Sequence, residues 1–166
     1  MSVQAEFEVL ECGQSNETGI VSICSLTMGA ALFGLEAQMV REVLGECVVQ
    51  KIPLAPRYVA GVVSNRGEVL TTLSLRALLG LEECAVRSLV MVLDGAVGEE
   101  RFGLLVDAVG GVMRVSDSMW EANPSTLSER NKALFDGAYP LPDGLMVRLD
   151  GTKLLPSRLR EMEIFS

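Results

Sequence analysis

At 166 residues and 49% apolar side chains, the chain can bury one compact core without a disulfide or metal staple. Its net charge of −8 and lack of any Lys/Arg cluster exclude a phosphate backbone as partner. It has no histidine, which removes Ser-His-Asp and Cys-His triads, the common catalytic zinc sites and a phosphoaccepting histidine.

Residues 1–19 hold four acidic side chains (Glu6, Glu8, Glu11, Glu17) and no basic one. They read as a flexible acidic N-terminal segment, with a docking tail as the alternative. Residues 18–35 carry no charge, yet they hold three Gly, two Ser and two Thr between Glu17 and Glu36. No Lys or Arg precedes Arg41, so neither a signal peptide nor a membrane anchor is indicated. The stretch reads instead as two buried strands, IVSICSLTM and ALFGLEA, joined by a turn at Gly29. MVREVL and VVQKIPLA are expected as further strands, and APRYVAGVV opens like a short helical turn. GEVLTTLSL reads as a strand, and RALLGL as a short helix closed by Gly80. LEECAVR connects to a second set: SLVMVL, a loop with Asp94, Gly95 and Gly98, then RFGLLVDAVGGVMRV. Cys12, Cys24, Cys47 and Cys84 are irregularly spaced without a C-x-x-C pair, as expected of reduced thiols in a cytosolic protein.

The second set repeats the first. Phe33-Gly34-Leu35, Val40 and Val43 align with Phe102-Gly103-Leu104, Val109 and Val112 at an offset of 69. Val69, Leu70, Leu73, Leu78 and Leu79 align with Leu145, Met146, Leu149, Leu154 and Leu155 at an offset of 76. The difference places about seven extra residues in the polar stretch SDSMWEANPSTLSERNK, which contains Pro124 and the single tryptophan, Trp120. Two related β subdomains of about five strands each follow, and sheets of that size avoid exposed edges by closing into barrels.

Residues 32–44 (LFGLEAQMVREVL), 52–62 (IPLAPRYVAGV), 63–81 (VSNRGEVLTTLSLRALLGL) and 102–115 (FGLLVDAVGGVMRV) resemble, in this order, the motifs of the CheW-like domain. The resemblance covers roughly residues 20–155. It implies a mainly β fold of two interlocked five-stranded barrels around a shared core, with a few short helices. It divides the chain into a single domain, 20–155, with subdomains of about 20–82 and 83–155 that can interleave at their ends, followed by a C-terminal helix or tail at 156–166. It implies a non-catalytic adaptor without cofactor or metal. The partners it implies are the regulatory domain of a CheA-type histidine kinase and the cytoplasmic tips of chemoreceptors, with the adaptor recruited from the cytoplasm to receptor arrays at the membrane. The chain departs from the family pattern at Ser64-Asn65, Thr71 and Ser74.

Carried over by position, the receptor-facing residues are Val40, Glu42, Gly61 and Arg66, while the kinase-facing residues stay unassigned. Val40 and Glu42 are expected on one face of a strand, Gly61 where another backbone approaches, and Arg66 within reach of Glu42. Asp107 and Asp150, each near a glycine without a basic partner in its own motif, read as turn or cap residues rather than catalytic carboxylates. Trp120 is expected to pack over a barrel end. Two other functions stay in view: an adaptor of a non-flagellar chemosensory pathway (pili motility or second-messenger output), and a small acidic β-barrel enzyme. Against the enzyme stand the missing histidines, the missing G-x-x-x-x-G-K-S/T loop and the scattered carboxylates.

Overall fold

The computed structural model describes residues 19–45, 47–82, 88–95 and 100–162. The acidic segment up to residue 18, with Cys12, and also Cys84 lie outside the described residues.

Apolar residues drive strand formation with the alternation expected of a pleated chain. In β1 (Ile20–Met28), Cys24 and Leu26 enter one core cluster while Ile23 enters another on the opposite face. A two-residue turn at Gly29 leads into β2 (Ala31–Glu36), and a 3-10 turn, Ala37–Met39, leads into β3 (Val40–Leu44). Then come β4 (Val59–Asn65), β5 (Glu68–Ser74) and helix α1 (Leu75–Leu78), whose N-cap Ser74 accepts from the Ala77 amide. The second half contains β6 (Leu89–Asp94), β7 (Arg101–Val106), β8 (Ala108–Ser116), α2 (Glu129–Leu134), β9 (Phe135–Leu141) and β10 (Gly144–Leu149). It ends in α3 (Pro156–Glu161), opened by its proline and seated by buried Leu159.

The stretch VVQKIPLA, expected as a strand, is a loop joined to the sheet by a bridge between Gln50 and Val62. Pro53 and Pro56 remove two backbone donors, and Leu54 between them is left-handed at φ 62°.

Ten strands form two five-stranded sheets. Sheet one has the order β8-β1-β2-β10-β9, and sheet two the order β3-β6-β7-β5-β4. The triplets 33–35 and 102–104 occupy the central strand of each. Leu26 opposes Phe33 as Leu93 opposes Phe102, and Gly34 pairs with Arg148 as Gly103 pairs with Thr72. Both offsets, 69 and 76, therefore hold in the hydrogen-bond register as well as in the residue pattern. The sheets are not, however, the two halves of the chain divided near residue 82. Each half leaves its own sheet after its central strand, so β3–β5 join β6 and β7, while β8–β10 join β1 and β2. The causes are local: the 3-10 turn after Glu36 carries the chain across, and the β7–β8 corner at Asp107 carries it back. The interleaving thus runs through the whole domain rather than its ends.

One core cluster joins the sheets, with Cys24, Leu26 and Leu35 from sheet one meeting Leu73, Met91, Leu93 and Leu104 from sheet two. A smaller cluster, Ile23, Val115, Tyr139 and Met146, lies on the other side of sheet one. At equivalent positions in sheet two, Val63, Leu70 and Val90 are also buried.

Candidate functional site

Glu42 and Arg66 come together as expected, in a setting the motif does not reveal. Their strands, β3 and β4, are the opposite edges of sheet two rather than ladder neighbours. Arg66 Nη2 lies 3.4 Å from Glu42 Oε1, and Asn65 donates to Glu42 Oε2 at 3.3 Å. The three side chains form a polar clasp across two edges that would otherwise stand open. Arg66 occupies the two-residue turn before β5 with Gly67, both left-handed (φ 53° and 80°), as in a type I′ hairpin. Its side chain is 80% exposed against 20% for Glu42, so the cation is the accessible half of the pair.

Val40 and Glu42 do not share a face. A bulge between them shifts the pairing with β6, and Val40 turns into the joint core at 7% exposure. Gly61 is buried as well, and the backbone that approaches it belongs to this same chain. Val62 and Gln50 exchange backbone hydrogen bonds at 2.8 and 2.9 Å, and a Cβ on Gly61 would lie 2.7 Å from the Gln50 carbonyl carbon. Of the four carried-over residues, Glu42 and Arg66 thus reach the surface, while Val40 and Gly61 shape the strands beneath.

Sequence reasoning missed a second polar centre. Asp107 does have a basic partner, 31 residues earlier in the chain: Arg76 Nη2 lies 2.6 Å from Asp107 Oδ2, and both side chains are largely buried. The same oxygen accepts from the Gly29 amide at 2.8 Å, and Arg76 also donates to the Glu82 carbonyl. Asp107 therefore ties the β1–β2 turn of sheet one to α1 beside sheet two. The signal was available, since Arg76 and Asp107 sit in two of the four motifs, but pairing them requires the crossover topology. Asp150 behaves as expected and caps its 3-10 turn by accepting from the Thr152 amide and hydroxyl at 3.0 and 2.6 Å.

Arg76 and Asp107 lie at one side of a groove of about 460 Å³ between the loop 49–60 and α1. Its walls mix apolar Val49, Ile52, Pro56 and Ala77 with polar Ser74, Ser88, Arg76 and Asp107. Lys51 and Arg57 line it as exposed cations without an ion pair among the described residues. Outside the groove, Leu54 and Val48 are fully and 88% exposed. At the corresponding pole of sheet one, Trp120 packs over Gly137 and stays 39% exposed.

Burial pushes the Cys24 thiol up to about 12 and also raises that of Cys47, and both are free thiols. Among the described residues no group of three potential ligands could hold a metal ion, and no helix is long and apolar enough to cross a membrane.

Two sheets with exchanged strands, carrying a polar clasp and a groove of mixed polar and apolar lining, define a binding scaffold. The family pattern of the CheW-like domain matches residues 22–159. Among curated proteins, the chain is 30% identical over 141 residues to a chemotaxis protein CheW of Rhizobium meliloti (strain 1021), covering 84% of this chain and 90% of that protein. It is 24% identical over 140 residues to the chemotaxis protein CheW of Treponema pallidum (strain Nichols), covering 82% of each. The fold matches the crystal structure of the scaffolding protein TtCheW from Thermoanaerobacter tengcongensis with a TM-score of 0.71 at 22% identity, covering 78% of this chain and 88% of that one. The chain belongs to the CheW-like domain family. It is a non-catalytic adaptor of chemosensory signalling.

Proposed function

We propose that this adaptor couples the cytoplasmic tips of chemoreceptors to the regulatory domain of a CheA-type histidine kinase, using two separate surfaces. Receptor contact recruits it from the cytoplasm to arrays at the membrane. The observation that carries this reading is the placement of two exposed features at opposite ends of β4. Arg66, with Glu42 behind it, follows the last residue of the strand, while the loop segment bearing Leu54 leads into its first, Val59. Seven residues of strand, roughly 23 Å long, lie between Arg66 and the point where the loop enters β4. The resemblance assigns the clasp to the receptor, which leaves the apolar loop for the kinase, since exposed apolar side chains in company mark an interaction surface.

Binding of each partner fragment to single variants tests this reading. Arg66→Ala is expected to weaken receptor binding about tenfold and leave the kinase domain bound as before. Leu54→Asp is expected to do the reverse. Equal loss of both partners in either variant would mean one shared site.

A further inference from the structure

Glu42 has two donors where an ordinary ion pair supplies one. Arg66 Nη2 lies 3.4 Å from Oε1, and the Asn65 amide donates to Oε2 at 3.3 Å. A carboxylate only accepts, so the amide presents its nitrogen and each oxygen has its own partner. The two donors differ in access. Asn65 is half-buried at the last position of β4, whereas the Arg66 side chain is 80% exposed. Glu42 itself is only 20% exposed, so losing both donors would orphan a largely desolvated charge, and losing Arg66 alone does not.

We propose that Asn65 sets how the clasp engages the receptor: it holds Glu42 in place so that Arg66 can leave it and pair with a carboxylate on the receptor tip. This inference rests on the receptor reading above, and adds to it a positioning residue and the chemical group that the receptor must offer.

The hairpin itself supports the assignment. The first position of a type I′ turn favours Asn, Asp or Gly, yet this chain places arginine there at φ 53° and its asparagine one residue earlier. A side chain held in a disfavoured backbone region at a turn tip points to a use outside the fold. The neighbouring carboxylates are also taken. Glu68, across the turn, receives Arg101 on its two oxygens at 3.1 and 3.2 Å, and Asp94 is held by Arg41 and Arg101. An Arg66 that lets go of Glu42 therefore finds its next carboxylate on another molecule. Asn65 is, moreover, one of the positions at which the chain departs from the family pattern.

The test measures affinity of the full chain for a soluble fragment of a chemoreceptor cytoplasmic tip. Leucine matches asparagine in shape and lacks its amide, so in Asn65→Leu every engagement of Arg66 with the receptor orphans Glu42. Receptor affinity should fall about fivefold, with kinase-domain binding unchanged. Asn65→Asp, which keeps size and polarity but removes the donor, should weaken receptor binding as well. In a Glu42→Gln background the Asn65→Leu penalty should shrink to less than about twofold, because a neutral amide leaves no charge to orphan. A purely structural defect at residue 65 would not shrink in this way. In urea unfolding, which needs no receptor, Arg66→Ala should lower the midpoint more in the Asn65→Leu background than in the wild type. Wild-type receptor affinity in Asn65→Leu, or in Asn65→Asp should the leucine variant not fold, would overturn the proposal. So would a penalty that persists in the Glu42→Gln background, or strictly additive midpoint shifts. If Arg66→Ala leaves receptor binding intact, the receptor reading of the clasp fails. If Arg66→Ala weakens it and Asn65→Leu does not, only the role given to Asn65 fails.

Discussion

The two sheets follow one plan and solve the same problems with different chemistry. Opposite the central glycine of sheet two stands Thr72, fully buried, whose hydroxyl donates to the Leu70 carbonyl at 3.5 Å. Opposite the central glycine of sheet one stands Arg148. It donates to Tyr139 Oη at 2.7 Å and to Glu36 Oε1 at 2.6 Å, and its Nε lies 3.2 Å from Asp136 without hydrogen-bond geometry. The contrast extends to the edges. Gln50 bridges to the edge strand β4 above Gly61, and Glu121 bridges to the edge strand β9 above Gly137. Beside Gly61 lies Val49, whereas beside Gly137 lies the Trp120 ring. A repeat thus keeps backbone register and main-chain closure while its side chains diverge. Register is set by whole strands, and one polar position can change as long as its neighbours satisfy it.

The strongest way to break the comparison is to attack what the sheets share. Gly61 and Gly137 both sit at positive φ, 152° and 137°, with the bridging segment directly above. A Cβ at Gly61 would meet the Gln50 backbone, and one at Gly137 would lie 2.5 Å from Trp120 Cε2 and 2.6 Å from the Glu121 carbonyl oxygen. Backbone strain and the displaced bridge add, so Gly61→Ala and Gly137→Ala should each destabilise by about 2–4 kcal/mol in urea unfolding. If one costs little while the other is severe, the two edges are not equivalent in energy despite their matching geometry.

A smaller effect should separate the sheets. Arg148→Met leaves buried Tyr139 Oη and two carboxylates without their cation, for an expected loss of about 2–3 kcal/mol. Thr72→Val in sheet two removes one weak contact and should change stability by less than about 1 kcal/mol. The pH dependence sharpens this. Burial raises the Asp136 carboxyl above its usual range, and Arg148 only partly opposes that shift. A carboxyl with a folded pKa above its unfolded one binds its proton more tightly in the native state, so stability falls as pH rises between the two values. Removing Arg148 raises the folded value further. The Met variant should therefore recover part of its loss on acidification, beginning at a higher pH than the wild type, as measured by thermal unfolding across the acidic range.

What could be read from the residues alone follows the same division. Phe33-Gly34-Leu35 and Phe102-Gly103-Leu104 stand out because central strands are buried on both faces and allow few residue types. The exchange of strands between sheets was illegible, since it depends on where three residues of 3-10 turn after Glu36 send the chain. Val40 and Glu42 were placed on one face by strict alternation, which a single bulge at Arg41 undoes. The loop 48–55 looked like a strand by its apolar content, although Pro53 and Pro56 had already removed the donors a strand needs. Arg76 and Asp107 were each visible in a motif, and only the fold shows that they meet.

The smallest expected effect concerns the clasp that sheet two uses to hold its outer edges together. A partly buried Glu42–Arg66 pair would cost about 1–3 kcal/mol to break. The observed pair is different: Arg66 is 80% exposed and 3.4 Å away, so water screens it and replaces it readily. Arg66→Ala should therefore destabilise by less than about 1 kcal/mol, and Glu42 keeps Asn65 as a donor when Arg66 is gone. Arg66 also holds a left-handed φ of 53°, which disfavours any side chain with a Cβ. Arg66→Gly removes that strain and should be at least as stable as Arg66→Ala, by about 0.5–1 kcal/mol in urea unfolding. A clasp that mattered to the fold would make both variants clearly unstable. A clasp that serves a partner instead leaves the fold almost unchanged in both, because the energy of an exposed cation is realised only when another surface excludes its water.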